Sequence, residues 1–238
     1  MKGILCLAVL GIGVLGCVGC ESDGPSREVL GQDYAKSVAA LAEPADGPGG
    51  TAARAPRRPI GLPIKLAVAQ LGEVSPPAAV LDRLRQESAA FTIVQPIPSV
   101  TQDGGETPSA KSMRRMARDL DADYLFVYGG TIDHAITGTP LGAANLTIIG
   151  AYVVPSEKIH AQAKVSGSLI DVTPGAAGGV LLTVSADDKG WTLSPLAARD
   201  SDDMTLTRKV RERAVANLMD QFVTKLKAGN SISQPTSR

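Results

Sequence analysis

Lys158–Val172 reads KIHAQAKVSGSLIDV, and its alternation decides the fold. Ile159, Ala161, Ala163, Val165 and Leu169 fall on one side, and His160, Gln162, Lys164, Ser166 and Ser168 on the other. A period of two belongs to a β-strand. A strand that is apolar on one side only belongs to a sheet with one packed and one more polar face, as antiparallel sheets commonly have. Just upstream, Asn145–Val154 predicts a partner strand, joined through a hairpin turn at Pro155-Ser156-Glu157. Downstream, Thr173-Pro174-Gly175 turns the chain, and 179–185 (GVLLTVS) predicts a shorter strand.

Strands and helices alternate before this block. Ile64–Leu71 (IKLAVAQL) reads as a mostly buried strand, and 76–89 as a helix with Val80, Leu81 and Leu84 on one face. Phe91–Ile97 (FTIVQPI) is a strand that Pro96 assigns to an edge or ends. A polar loop over 101–108 precedes a helix over 109–120, with Met113, Met116, Ala117 and Leu120 inward. Tyr124–Ile132 (YLFVYGGTI) is a third strand, with a bulge expected at Gly129-Gly130. A polar loop over 186–203 leads to a last helix over 204–228, whose Leu206, Val210, Ala214, Leu218, Phe222 and Leu226 recur every four residues and must dock on the sheet. The expected architecture is α+β: one domain over 62–228 with a mixed, mainly antiparallel sheet packed with helices, and a loose tail over 229–238.

Composition narrows the function. The 238 residues carry 24 basic and 24 acidic side chains, so the electrostatic footprint of a nucleic-acid binder is missing. Aromatic residues make up only 3% of the chain, too few for a base-stacking or sugar-stacking surface. Hydrophobic residues at 44% exclude a wholly disordered chain.

The N-terminus begins MKGILCLAVLGIGVLGCVGC, with Lys2 the one charge before Glu21. A short positive start, an apolar run and small residues before a cut describe a secretory signal peptide over 1–16. All three cysteines (Cys6, Cys17, Cys20) lie in the first twenty residues, so the following 218 have no disulfide, thiolate nucleophile or cysteine metal site. Val14-Leu15-Gly16-Cys17 resembles the bacterial lipobox, which makes Cys17 the candidate lipid-carrying residue and Cys20 its alternative. Acyl chains such as palmitate on that cysteine would hold the protein at a membrane without a spanning segment. Residues 17–61 then read as a tether with a short amphipathic helix over 27–43, followed by a stretch rich in Pro, Gly and Ala.

No catalytic, cofactor or metal motif emerges. His134 and His160 stand apart, and Asp133 next to His134 points to the opposite face of a strand. Gly129-Gly130 fits no phosphate-loop pattern. Asp121/Asp123 and Asp202/Asp203 sit at loops or helix starts, where capping and the helix dipole account for them. One basic surface is worth testing for an anion or a partner: Lys111, Arg114, Arg115 and Arg118, read as lying opposite the Met113/Met116/Leu120 stripe.

Three features carry a resemblance. A strand LAVAQL opens the domain, Asp121–Gly129 (DADYLFVYG) leads into the sheet, and Leu169–Gly175 (LIDVTPG) ends a later strand. Over about 62–228 the chain resembles the superfamily that includes the curli-secretion channel lipoprotein, the lipoprotein activator of penicillin-binding proteins and the N-terminal domain of the Tol-system propeller protein. The resemblance implies a non-enzymatic accessory or assembly factor of the cell envelope, anchored by lipid and facing the periplasm. Its partner would be an envelope protein, with a homo-oligomer also open and the choice of inner or outer membrane unassigned. That superfamily has no shared catalytic centre, so no site residue transfers except the lipid-carrying cysteine. Two alternatives stand beside it: an envelope hydrolase with a dispersed active site, and a secretion-pore subunit. Against the latter, strands 145–172 lack the aromatic girdle of lipid-facing hairpins.

Overall fold

The computed structural model describes residues 26–30, 60–98, 110–141, 147–172 and 180–231. Six strands form one sheet in the order β3-β2-β4-β5-β6: β2 (Ile64–Gln70), β3 (Phe91–Pro96), β4 (Tyr124–Gly138), β5 (Pro155–Asp171) and β6 (Val180–Pro195), with β1 (Ser26–Leu30) lying beside β4. β2 pairs in parallel with β3 and β4, and β1–β4, β4–β5 and β5–β6 are antiparallel. The sheet is therefore mixed and mainly antiparallel, and with its helices makes the α+β domain read from the sequence.

Helices cover it unequally. The chain steps from β2 to β3 through α1 (Ala78–Gln86), then back across β2 to β4 through α2 (Ala110–Asp119). Two crossovers in opposite directions, each right-handed, must place their helices on opposite faces. The two cores show that they do. On one face Val80, Leu81 and Leu84 of α1 join Leu66, Val68, Phe126, Val165 and Leu169. The same core takes in Val210, Ala214, Leu218, Phe222 and Leu226 of α4 (Arg199–Ser231). On the other face Met113 and Ala117 of α2 pack with Ala67, Ala69, Leu125, Val127 and Ile170. At 33 residues α4 is about 50 Å long and spans the sheet. Arg83 Nε donates to Asp220 Oδ1 at 2.9 Å, and Lys227 meets Glu87 at 2.7 Å, which holds α1 against α4.

Several local expectations change. The strand expected over 145–154 is not seen in its described residues 147–154, which make the short helix α3 (Ile148–Val153), and Pro155-Ser156-Glu157 opens β5. The β4–β5 ladder closes at Gly138↔Glu157, so these residues have no partner strand. A helical turn satisfies their backbone groups locally, with Ala151 N–H donating to the Thr147 carbonyl at 3.1 Å and Thr147 Oγ1 capping Gly150 N–H at 3.0 Å. Gly129-Gly130 makes no bulge, because β4 and β5 pair without a shift from Tyr124 to Gly138. Gly130 is there for closeness instead: a Cβ on it would lie 2.1 Å from the Lys164 carbonyl oxygen of β5. The expected loop 186–203 is mostly strand, since β6 runs to Pro195 and α4 begins at Arg199. Its charges are those of an edge strand: Asp187 and Lys189 face water, and Asp188 reaches Arg213 of α4 at 2.6 Å. Gly229–Ser231 extend α4 instead of opening a tail.

The tether changes most. Residues 26–30, expected to start a helix at 27, are a strand on β4, with Ser26 opposite His134 and Leu30 opposite Gly130. The signal peptide, Cys17, Cys20 and the remainder of the expected helix 27–43 lie outside the described residues.

Candidate functional site

His134 comes closest to chemistry. It lies in β4 on the side facing α4, and its Nδ1 is 3.1 Å from Asp203 Oδ2. Asp133 was its sequence neighbour, but the partner is supplied 69 positions away by the start of α4, a pairing without a sequence signal. Ser201, Met204, Thr207, Arg208 and Arg211 complete a groove of about 710 Å³ around the pair. An acid–imidazole pair needs a nucleophile within hydrogen-bond reach of the second ring nitrogen. Ser201 Oγ instead donates to the Ala198 carbonyl at 2.8 Å, within its own helix turn. Among the described residues no hydroxyl is bonded to His134. His160 is on the opposite face of β5, exposed, so the two histidines do not meet.

The acidic pairs have structural partners. Asp202 accepts from Ser194 Oγ at 2.6 Å at the entry to α4. Asp121 stands at a helix C-terminus, not a start: it has φ 56°, its N–H donates to the Arg118 carbonyl at 2.8 Å, and Ala122 N–H reaches the Ala117 carbonyl at 3.0 Å. These two bonds are the Schellman cap of α2. The Asp121 carboxylate meets Lys65 of β2 and raises that amine's pKa through the hydrogen bond and the charge.

The basic helix does not present its cations together. Arg114 is 4% exposed, turned to the side of Met113 and Ala117, and burial, with Arg118 adding repulsion, lowers its pKa. Arg115 is exposed and 3.8 Å from Asp119, Arg118 is exposed, and the side chain of Lys111 lies outside the described residues. Leu120, expected inward, is 39% exposed because α2 stops at Asp119 and the left-handed Asp121 redirects the chain.

Two other surfaces stand open. On the face of β5 and β6 away from α4 the exposed side chains include His160, Lys164, Thr183, Ser185, Asp187, Lys189 and Trp191, with Leu193 following Trp191 on the same side of β6. Lys158 Nζ lies 5.1 Å from the Trp191 ring centroid, a cation–π contact. On the polar side of KIHAQAKVSGSLIDV, His160 and Lys164 thus face out and Gln162 and Ser166 are half-buried, whereas Ser168 is fully buried. The second surface was missed by the sequence reading. Past the last pairs of β4, β5 and β6, α3 exposes Ile148 (84%), Ile149 (77%), Tyr152 (69%) and Val153 (69%), with Leu141, Leu193 and Leu196 also exposed. Its signal in the sequence was 135–156, 22 consecutive residues without a charge in a chain that is 20% charged.

Among the described residues no group of His, Cys, Asp and Glu is arranged to hold a metal ion, and no helix is long and apolar enough to cross a membrane. No protein-family model matches the chain, and no curated protein matches it. A crystal structure from Caulobacter crescentus, of a protein with a provisional lipoprotein name, is similar at 14% identity and a TM-score of 0.28. The match covers 56% of this chain and 87% of that one. At that distance the likeness decides neither fold nor function.

Proposed function

We propose that the chain is a lipid-anchored protein of the bacterial cell envelope that acts as an accessory or assembly factor through protein–protein contact. The observation that carries the contact role is the open β5–β6 face. Its polar side chains, together with Trp191 over Lys158, give a partner one aromatic anchor within a hydrogen-bonding rim, the composition of contact surfaces. The anchor rests on the lipobox-like Val14–Cys17 and on the restriction of all cysteines to the first twenty residues. Metabolic labelling with a fatty-acid analogue tests it, comparing wild type with Cys17→Ala, Cys20→Ala and the double variant. Label lost with one cysteine fixes the mature N-terminus, and wild type without label refutes the anchor. A photo-crosslinker placed at Lys164 or Lys189 tests the face. A discrete adduct that Trp191→Ala abolishes supports a partner there, and no adduct refutes it.

A hydrolase is the second reading, favoured by His134 on Asp203 inside a groove. Loss of cellular function in a folded His134→Ala variant would establish it over the contact role.

A further inference from the structure

We infer that the α3 end of the sheet rests on the lipid bilayer that holds the anchor, with Ile148, Ile149, Tyr152 and Val153 in its interfacial layer. This goes beyond the contact role and rests on the lipid-anchor reading for its geometry.

Strand polarity supplies the first argument. β4 runs from Tyr124 toward Gly138 and the α3 end, and β1 lies antiparallel to it with Ser26 opposite His134. The chain therefore enters the domain four residues short of the end of β4, roughly 13 Å along the strand. Only 21–25 separate Cys20 from Ser26, and only 18–25 separate Cys17 from it. Fully extended, those links reach about 20 Å and about 30 Å. An acylated cysteine on so short a link keeps the α3 end of the sheet toward the membrane, and the opposite end, with Ser88 and the start of β3, away from it. The tether of 17–61, which if extended could reach on the order of 100 Å, is cut short by β1.

Chemistry supplies the second. An exposed cluster of two isoleucines, a valine and a tyrosine suits the acyl–headgroup boundary, where aromatic rings with a polar end collect. The described residues of 135–156 bring no charge into that layer. At six residues α3 is about 9 Å long, so it lies in the interface and does not span it. Charges begin only behind the cluster and are of both signs, with Glu157, Lys158, Arg199 and Asp200 nearest in sequence. Association should therefore depend little on anionic lipid.

The test uses the full chain, processed in cells and reconstituted in phosphatidylethanolamine/phosphatidylglycerol vesicles doped with a lipid brominated high on its acyl chains. Trp191→Phe removes the native tryptophan. Tyr152→Trp then reports on the cluster, and Ser88→Trp on the far end. Acyl label is scored on every sample. Quenching and a blue shift at Trp of Tyr152→Trp, absent for Ser88→Trp and abolished by Ile148→Ser with Ile149→Ser at unchanged melting temperature, is the expected result. Labelled protein with an unquenched Tyr152→Trp overturns the inference while leaving the anchor intact. A blue shift without quenching also overturns it, since a protein or a second copy then covers the cluster. Absence of label overturns the anchor, and this inference with it.

Discussion

Gly167 of β5 lies beneath the ring of Phe126 on β4: a Cβ built on the glycine would sit 2.3 Å from Phe126 Cζ. The ring has little freedom to withdraw. It stacks on Phe222 of α4 with centroids 4.1 Å apart, and Phe222 in turn stacks on Phe91 at 6.0 Å. Phe126 and Phe222 are fully buried. Gly167→Ala should therefore lower stability by about 2 kcal/mol, the cost of overpacking a close-packed core. Chemical denaturation measures it. Phe126→Leu, which shortens the opposing side chain, should cost less in the Gly167→Ala background than in wild type.

Asp121 holds a left-handed conformation to cap α2. Glycine occupies such a site without the Cβ penalty, about 1 kcal/mol, while Asp gains locally and meets Lys65. That pair is exposed and adds little. Asp121→Gly should be neutral or slightly stabilising. Asp121→Ala, which keeps the strain and loses the carboxylate, should be the least stable of the three. Thermal melts of the series give the order.

How much of this was legible follows from where each residue's constraint comes from. The period-two pattern of 158–172 and the period-four stripe of α4 each report burial on one side, and the apolar side of each is buried as read, while Ser168 on the polar side of β5 is buried as well. β6 was misread past Ser185 because an edge strand places charges on its open side and uses Asp188 inwardly against Arg213. Arg114 was misread because helical spacing alone does not say how far α2 is rolled on the sheet. β1 was misread because its amphipathic spacing fits a helix, while the ladder it joins is over a hundred positions away. A separation of 69 positions likewise hid Asp203 from His134.

Tyr128 donates to Gln70 Oε1 at 2.7 Å inside the sheet, both side chains being buried. Burial, with Glu73 adding repulsion, pushes its pKa well above the ordinary tyrosine value, and burial raises Tyr124 as well. The proton is thus held more tightly in the folded protein. The stability that depends on it is complete below the unfolded pKa of about 10 and falls as pH rises past that value. Tyr128→Phe should cost about 1 kcal/mol at neutral pH through the lost hydrogen bond. Because phenylalanine does not ionise, the gap between variant and wild type should narrow above pH of about 10. Urea unfolding at neutral and alkaline pH would show this, and a constant gap would refute it.

Asp203 is 17% exposed in its side chain, and its Oδ1 is buried without a hydrogen-bond partner, so His134 carries the satisfaction of the carboxylate. Removing the imidazole leaves a half-buried charge uncompensated, whereas removing both partners leaves none. His134→Ala should therefore cost about 2 kcal/mol, and His134→Ala with Asp203→Ala clearly less than the two single losses combined. Asp203→Asn keeps an acceptor for the ring and should cost under about 1 kcal/mol. Denaturation of the four proteins completes the cycle. Additive losses would show that the pair does not tie β4 to α4, and the groove would then owe its shape to Val210 and the residues packed below it.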